Sequence, residues 1–246
     1  RGARDLPSRV VDNLFWLGRY VERADGTARL LRAVVDRLTT EVRTGDLGEF
    51  PALLMVLSER SGMDWMCGAE VGRLDTERLA EQVTGCLYDT HQPGSLRSTL
   101  EMLTYSAGNL RDRVSSDTWR ILNRLDSLIV RPGDDVETRL GDALDLVNQV
   151  ILTLAAFGGL GMESMTRGTG WRFLDIGRRI ERAVDVMQLV SGLMGSERTP
   201  EGPFLTTLLE AADSTLTYRS RYLLALQPTP VLDLLLTDET NPRSLL

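Results

Sequence analysis

The chain has 246 residues, of which 42% are hydrophobic, 26% charged and 6% aromatic, with a formal net charge of −7 and a pI near 4.9. That length can bury roughly 70–75% of the unfolded surface, and the acidic balance excludes a general nucleic-acid binder, which needs a concentrated basic surface to neutralise phosphates. All 28 basic side chains are Arg, which removes a P-loop lysine, a Schiff-base lysine and a Ser-Lys dyad, and one histidine (His91) with two cysteines (Cys67, Cys86) cannot close a four-ligand zinc site in one chain.

Hydrophobic periodicity predicts helices throughout. Ser8 caps a first helix over about residues 9–43, in which Val10, Leu14, Leu17, Val21, Ala24, Ala28, Leu31, Val35 and Leu38 recur at three- and four-residue steps. Thr44 to Gly48 ends it, and Pro51 opens a short helix to Ser58 or Arg60. Asp75 caps a third helix to about Asp89, and Ser95 caps a fourth to about Val114. Ser116 precedes a fifth, which Arg131-Pro132-Gly133 breaks. A long helix starts at Asp134 or Asp135 and fades at Gly158-Gly159-Leu160-Gly161, and a loop over residues 164–170 leads into another helix from about Trp171 to Met194. A last helix from about Phe204 to Leu226 ends before Pro228 and Pro230, and Asn241-Pro242-Arg243-Ser244 reads as a further helix start. No alternating strand pattern appears, so the expected fold is all-α: a single multi-helix bundle over residues 1–246 with two long central helices.

Those two helices carry the same motif. Gly18-Arg19-Tyr20-Val21-Glu22-Arg23-Ala24 returns as Gly177-Arg178-Arg179-Ile180-Glu181-Arg182-Ala183. Arg at i, Glu at i+3 and Arg at i+4 share one helix face, and apolar neighbours surround both trios. Gly18 and Gly26 lie one turn either side of Glu22, where bare backbone lets another helix come close. Each trio reads either as an exposed intrahelical ion pair worth about 0.3–0.5 kcal/mol or, as two copies inside apolar helices favour, as part of a buried or semi-buried network in which Arg23 meets Glu181 and Arg182 meets Glu22. Two cations per anion leave a surplus. Asp12, Asp25, Asp175 and Asp185 answer it internally, or an external carboxylate or phosphate does so, held with help from Arg219, Arg221, Tyr218 and Tyr222. Arg167 and Arg172 flank a loop-to-helix junction that reads first as an ordinary capped helix entry and second as a place for an anion. His91 reads as a loop residue, Asp238-Glu239 as a solvated helix approach rather than a metal site, and Trp16, Trp119 and Trp171 as core anchors. No catalytic residue is assigned.

Taken together, these residues resemble the Alpha-E domain family, a helical family named for a Glu-Arg motif. The resemblance rests on Leu6 to Val10, Asn13 to Ala24, Glu163 to Arg167, Gly170 to Ala183, Thr217 to Tyr222, Pro230 to Leu236 and Asn241 to Ser244. It implies association with a circularly permuted ATP-grasp protein, fused or separate, often with a transglutaminase-like protein nearby, and therefore an accessory role in an amide- or peptide-forming ligase system. ATP and Mg would then belong to the ATP-grasp part, with no cofactor here. Two alternatives stand beside it: an independent enzyme using Glu22 or Glu181 with its Arg neighbours, and a purely structural oligomerisation module. The Arg1 start and the Asn-Pro-Arg-Ser signal suggest a segment of a longer chain. Two cysteines, a charged start and no run of about 18 apolar residues predict a cytoplasmic protein with no membrane partner.

Overall fold

A computed structural model describes residues 6–41, 50–63, 76–128, 136–194, 202–222 and 225–246. Among them are ten α-helices and no strand: α1 (Ser8–Glu41), α2 (Phe50–Ser61), α3 (Thr76–Tyr88), α4 (Leu96–Gly108), α5 (Ser116–Leu128), α6 (Val136–Ser164), α7 (Thr169–Met194), α8 (Gly202–Ala211), α9 (Thr215–Arg221) and α10 (Pro228–Leu236). The predicted features at residues 44–48, Cys67, Asp75, residues 131–135 and residues 195–200 lie outside the described residues.

α1 is the axis of the molecule. Its apolar stripe Leu14, Leu17, Val21, Ala24, Ala28, Leu31 and Val35 is buried, and α7, α4, α6, α2, α8 and α3 all pack on it. α6 runs antiparallel to α1, with Leu14 and Leu17 beside Phe157 and Gly161 at one end and Arg32 3.5 Å from Asn148 at the other. α7 runs parallel to α1 and in register with it. Gly18 lies against Leu174 and Arg178, and Gly177 against Phe15 and Arg19, which are equivalent positions in the two motif copies. The pair is thus related by a local two-fold along the helix axes.

Several boundaries differ from the sequence reading. The last long helix is broken: Asp213 has φ 53°, the Ser214 amide donates to Leu209 O at 2.8 Å, and the chain turns between α8 and α9. This is a left-handed C-terminal cap with Asp in the glycine-like position. Pro228 starts α10 instead of ending a helix, because a first-turn residue has no intrahelical use for its N–H. α6 continues through Gly158, Gly159 and Gly161 to Ser164, held by packing against α1. Ser95 caps α4 as expected, accepting from the Ser98 amide at 2.9 Å, whereas α4 stops at Gly108 and Ser115, not Ser116, accepts from the Thr118 amide at 3.1 Å ahead of α5. Asn241 to Ser244 forms a turn, not a helix, with Asn241 Oδ1 accepting from the Arg243 amide at 3.2 Å.

α6 carries an uncharged stretch of membrane-spanning length, broken by Asn148, Gln149 and Thr153. Arg139–Ser164 in α6 is long and apolar enough, by length and composition alone, to cross a bilayer, because Leu146 to Met162 carries no charge. Part of its surface is used inside the protein, with Val147, Val150, Ile151, Leu154 and Phe157 buried.

Candidate functional site

The helix crossing at Gly18 and Gly177 sets the geometry of the charged cluster. A Cβ at either glycine would overlap the carbonyl oxygen of Leu174 or of Phe15, so only glycine lets the two backbones come this close. One turn further on, each glutamate faces the other helix. Glu22 accepts from Arg178 Nε at 2.8 Å and from Arg182 Nη2 at 2.7 Å and Nε at 3.1 Å. Glu181 accepts from Arg23 Nε at 2.5 Å and Nη2 at 3.2 Å, and from Arg19 Nε. The cross-pairing is therefore reciprocal, two guanidiniums to each carboxylate. The carboxylates are sealed, with Glu22 4% and Glu181 3% exposed, while the four arginine side chains remain 19–35% exposed.

The two-fold fails one turn later. Asp185 occupies the position equivalent to Gly26, and its carboxylate lies over that glycine, 2.6 Å from the buried guanidinium of Arg60 on α2. Burial pushes the Asp185 carboxyl up to about 7 against the pull of Arg60, with repulsion from Glu181 and Glu22 adding to the rise. On the other side, Asp25 pairs with Arg29 at 3.0 Å and with Arg243 at 3.1 Å. Burial would raise Asp25, but Arg243 and Arg29 outweigh it and hold its carboxyl below the ordinary value.

The turn at residues 241–244 straps this cluster. Asn241 is buried and donates to Leu234 O at 2.9 Å, Pro242 O accepts from Arg182 Nη1 at 2.6 Å, and Arg243 reaches Asp25 and, at 3.0 Å, Asp213. Arg29 also meets Asp213, at 2.9 Å. Seven guanidiniums (Arg19, Arg23, Arg29, Arg60, Arg178, Arg182, Arg243) thus face five carboxylates (Glu22, Asp25, Glu181, Asp185, Asp213). A cavity of about 250 Å³ opens beside them between α1, α6 and α7, with Arg178, Arg243, Glu22 and Asp25 on its polar side and Val21, Leu154, Ala155, Gly158 and Met162 on its apolar side. The cluster contains only guanidinium and carboxylate groups. Its chemistry is to hold an anion or to hold the helices together; Glu22 and Glu181, each saturated by two arginines and sealed from solvent, are poorly placed to exchange a proton with a substrate.

A family model described as "a predicted alpha-helical domain with a conserved ER motif" matches residues 6–246. The chain belongs to the Alpha-E family. Uncharacterized proteins of Mycobacterium bovis and of two Mycobacterium tuberculosis strains are 33% identical to it over 248 aligned residues. That alignment covers 96% of this chain and 28% of each relative, so the chain spans little more than a quarter of the length of the curated proteins it matches. No solved structure matches it.

In this Alpha-E domain the predicted residues divide into two groups. Arg19, Glu22, Arg23, Arg178, Glu181 and Arg182 meet at the crossing. The others make contacts elsewhere. Arg221 pairs with Asp238 and Thr240, Tyr222 OH donates to Asp233 at 3.2 Å, and buried Tyr218 OH accepts from the Gln227 amide at 3.3 Å, so these residues of α9 and its C-cap fasten α10 and the turn after it. Arg219 is exposed on α9. Arg172 is exposed on α7, and Arg167 stacks 4.4 Å from the Trp171 ring and donates to Met162 O at 3.1 Å. Of the internal partners expected, Asp25 and Asp185 join the cluster, while Asp12 is exposed and Asp175 pairs outside it with Arg179. Trp16 is not a core anchor: it is 38% exposed, stacked on Tyr20, with the Arg19 guanidinium 5.7 Å away. His91 lies in an exposed turn, its amide donating to Asp89.

The residues missed were Arg243, Arg29, Arg60 and Asp213. Arg243 had a signal, since it lies within the Asn-Pro-Arg-Ser segment that carries part of the resemblance. Arg29 and Arg60 look like ordinary helix-surface arginines, and nothing local marks Asp213 as a partner.

Proposed function

We propose that this domain is a helical component, non-catalytic or catalytic only jointly with its partner, of an ATP-dependent amide- or peptide-forming ligase system, docking with an ATP-grasp partner and binding an anionic substrate or intermediate beside the Arg/Glu crossing. ATP and Mg belong to the ATP-grasp partner in this reading, a transglutaminase-like protein is a second associate, and the site is cytoplasmic. The observation that carries the anion reading is the 250 Å³ cavity, whose polar wall sets Arg178 and Arg243 beside Glu22 and Asp25, next to a cluster with two more guanidiniums than carboxylates. Phosphate and carboxylate oxygens accept such forked donors bidentately.

The test is calorimetric titration of inorganic phosphate, acetyl phosphate and short acidic peptides into the domain. Binding should weaken by at least about tenfold in Arg243→Gln, one buried charge contact being worth more than 1.4 kcal/mol. Ala155→Leu provides a second check, because Ala155 lies on the exposed side of α6 and lines the cavity, so the larger side chain fills the space and leaves the ion network intact. Unchanged affinity in a folded Ala155→Leu protein refutes the site. The competing reading is a packing module; it is favoured by the sealing of Glu22 and Glu181, and it predicts no anion binding in any variant.

A further inference from the structure

The local two-fold makes a statement about what should cover α7. On α1, Leu17, Val21, Ala24 and Ala28 step by four, three and four residues and are 0–3% exposed beneath α6 and its neighbours. The equivalent residues of α7 are Ile176, Ile180, Ala183 and Met187, with the same steps and the same apolar character. Yet Ile176 is 44%, Ile180 41% and Met187 47% exposed, and Ala183 is half-buried. That spacing is the 3.5-residue repeat of a helix-to-helix seam. One half of the symmetric pair has its covering helix, and the other has the seam without a helix on it among the described residues.

The rim of the seam says what fits. Arg172 and Arg179 are exposed, seven residues apart on one flank, the position from which coiled-coil helices read the charge of a neighbour; Arg179 also holds Asp175 one turn back at 2.8 Å, so the flank carries one net positive charge. A second copy of α7 packed antiparallel, the sense in which α6 lies on α1, would set these arginines against their own copies. We propose that the α7 seam docks a helix of another protein or domain, lying as α6 lies on α1, apolar at heptad spacing and acidic along the flank that meets Arg172 and Arg179. The seam is a different surface from the cavity and stands whether or not the partner is a ligase.

The experiment uses the full 246-residue chain and two fluorescent synthetic helices of about three heptads, both with Leu at the seam positions, one flanked by Glu and one by Lys. Anisotropy should show the Glu-flanked helix binding at least about ten times more tightly, with the order reversed in R172E/R179E. I180D, at a site already exposed, should bind neither while keeping its helical circular dichroism, and M187D provides a second such variant. Equal binding of the two peptides overturns the proposal, as does full binding by I180D. So does sedimentation showing a dimer of the chain that I180D dissolves, which would make a second copy the occupant, or co-sedimentation with phosphatidylglycerol vesicles lost in I180D, which would make it a membrane.

Discussion

Replacing Gly18 with alanine adds a single carbon at the point where α1 and α7 touch through their backbones. In an ordinary helix the change is favourable by about 1 kcal/mol, since alanine loses less conformational entropy. Here the new Cβ would sit inside the contact radius of the Leu174 carbonyl oxygen and 3.0 Å from the Arg178 amide nitrogen, both backbone atoms that cannot rotate away. Relief requires the helices to part by roughly 1 Å, costing about 1–3 kcal/mol as overpacking. The same shift takes hydrogen bonds such as Arg178 Nε to Glu22 at 2.8 Å and Arg23 Nε to Glu181 at 2.5 Å toward or past the bonding limit. Losing one of these charged bonds costs about 1.5–3 kcal/mol more. With the helix-propensity gain of about 1 kcal/mol subtracted, Gly18→Ala should therefore destabilise by about 1.5–5 kcal/mol, and Gly177→Ala similarly, because the two-fold makes the contacts equivalent. Gly159→Ala is the control: it lies within α6 with nothing within 4 Å of the added carbon, and should stabilise by up to about 1 kcal/mol. Urea unfolding midpoints of the three variants decide the matter. If Gly18→Ala is as stable as Gly159→Ala, the helices do not touch at the glycines and the reciprocal cluster is misassigned.

The remaining predictions concern the charges. Asp185 has a folded value of about 7, above its ordinary 3.8, so the native state binds the extra proton and the stability contributed by this group is full at low pH and declines as pH rises toward 7. Relative to Asp185→Asn, the native protein should lose about 2 kcal/mol between pH 5 and pH 7, read from denaturant curves at each pH; parallel curves would refute it. Glu22→Gln leaves Arg178 and Arg182 without their shared anion and should cost about 3 kcal/mol, with a double-mutant cycle against Arg182→Gln giving a coupling of at least about 1 kcal/mol, whereas a coupling near zero would mark an exposed, screened pair. Asn241→Ala removes the buried donor to Leu234 O and should cost about 1–3 kcal/mol and speed proteolytic clipping after Leu236 several-fold; unchanged clipping would show that the turn is held by other contacts.

How far the sequence reaches can be seen helix by helix. The apolar steps of α1 and the Ser95 cap are local signals and translate directly into structure. The break at Asp213 is harder, since an aspartate in the left-handed region is chosen by the chain reversal between α8 and α9 and not by its neighbours in sequence. Pro228 is ambiguous for the same reason: proline forbids a helix interior and favours a first turn, and only the placement of α10 against α7 and α8 selects the second. Within the site, the six motif residues were legible because two copies of an unusual charge pattern, each preceded by glycine, make sense only if they meet. Arg60, Arg29 and Asp213 carry no such pattern.

The sequence by itself determined that the chain is helical, because helical periodicity acts on residues a few positions apart, and it marked the two Gly-Arg-x-x-Glu-Arg-Ala copies as candidates to exchange partners, because an unpaired buried charge is costly. Only the tertiary structure decided that the two helices run parallel and in register, that Arg243 closes the cluster from the far end of the described chain, and that one apolar seam is covered while its twin is exposed. Those outcomes depend on which surfaces of distant segments are left to pack together once each helix has formed, and that choice is made by the shape and area of the whole assembly, not by any local run of residues.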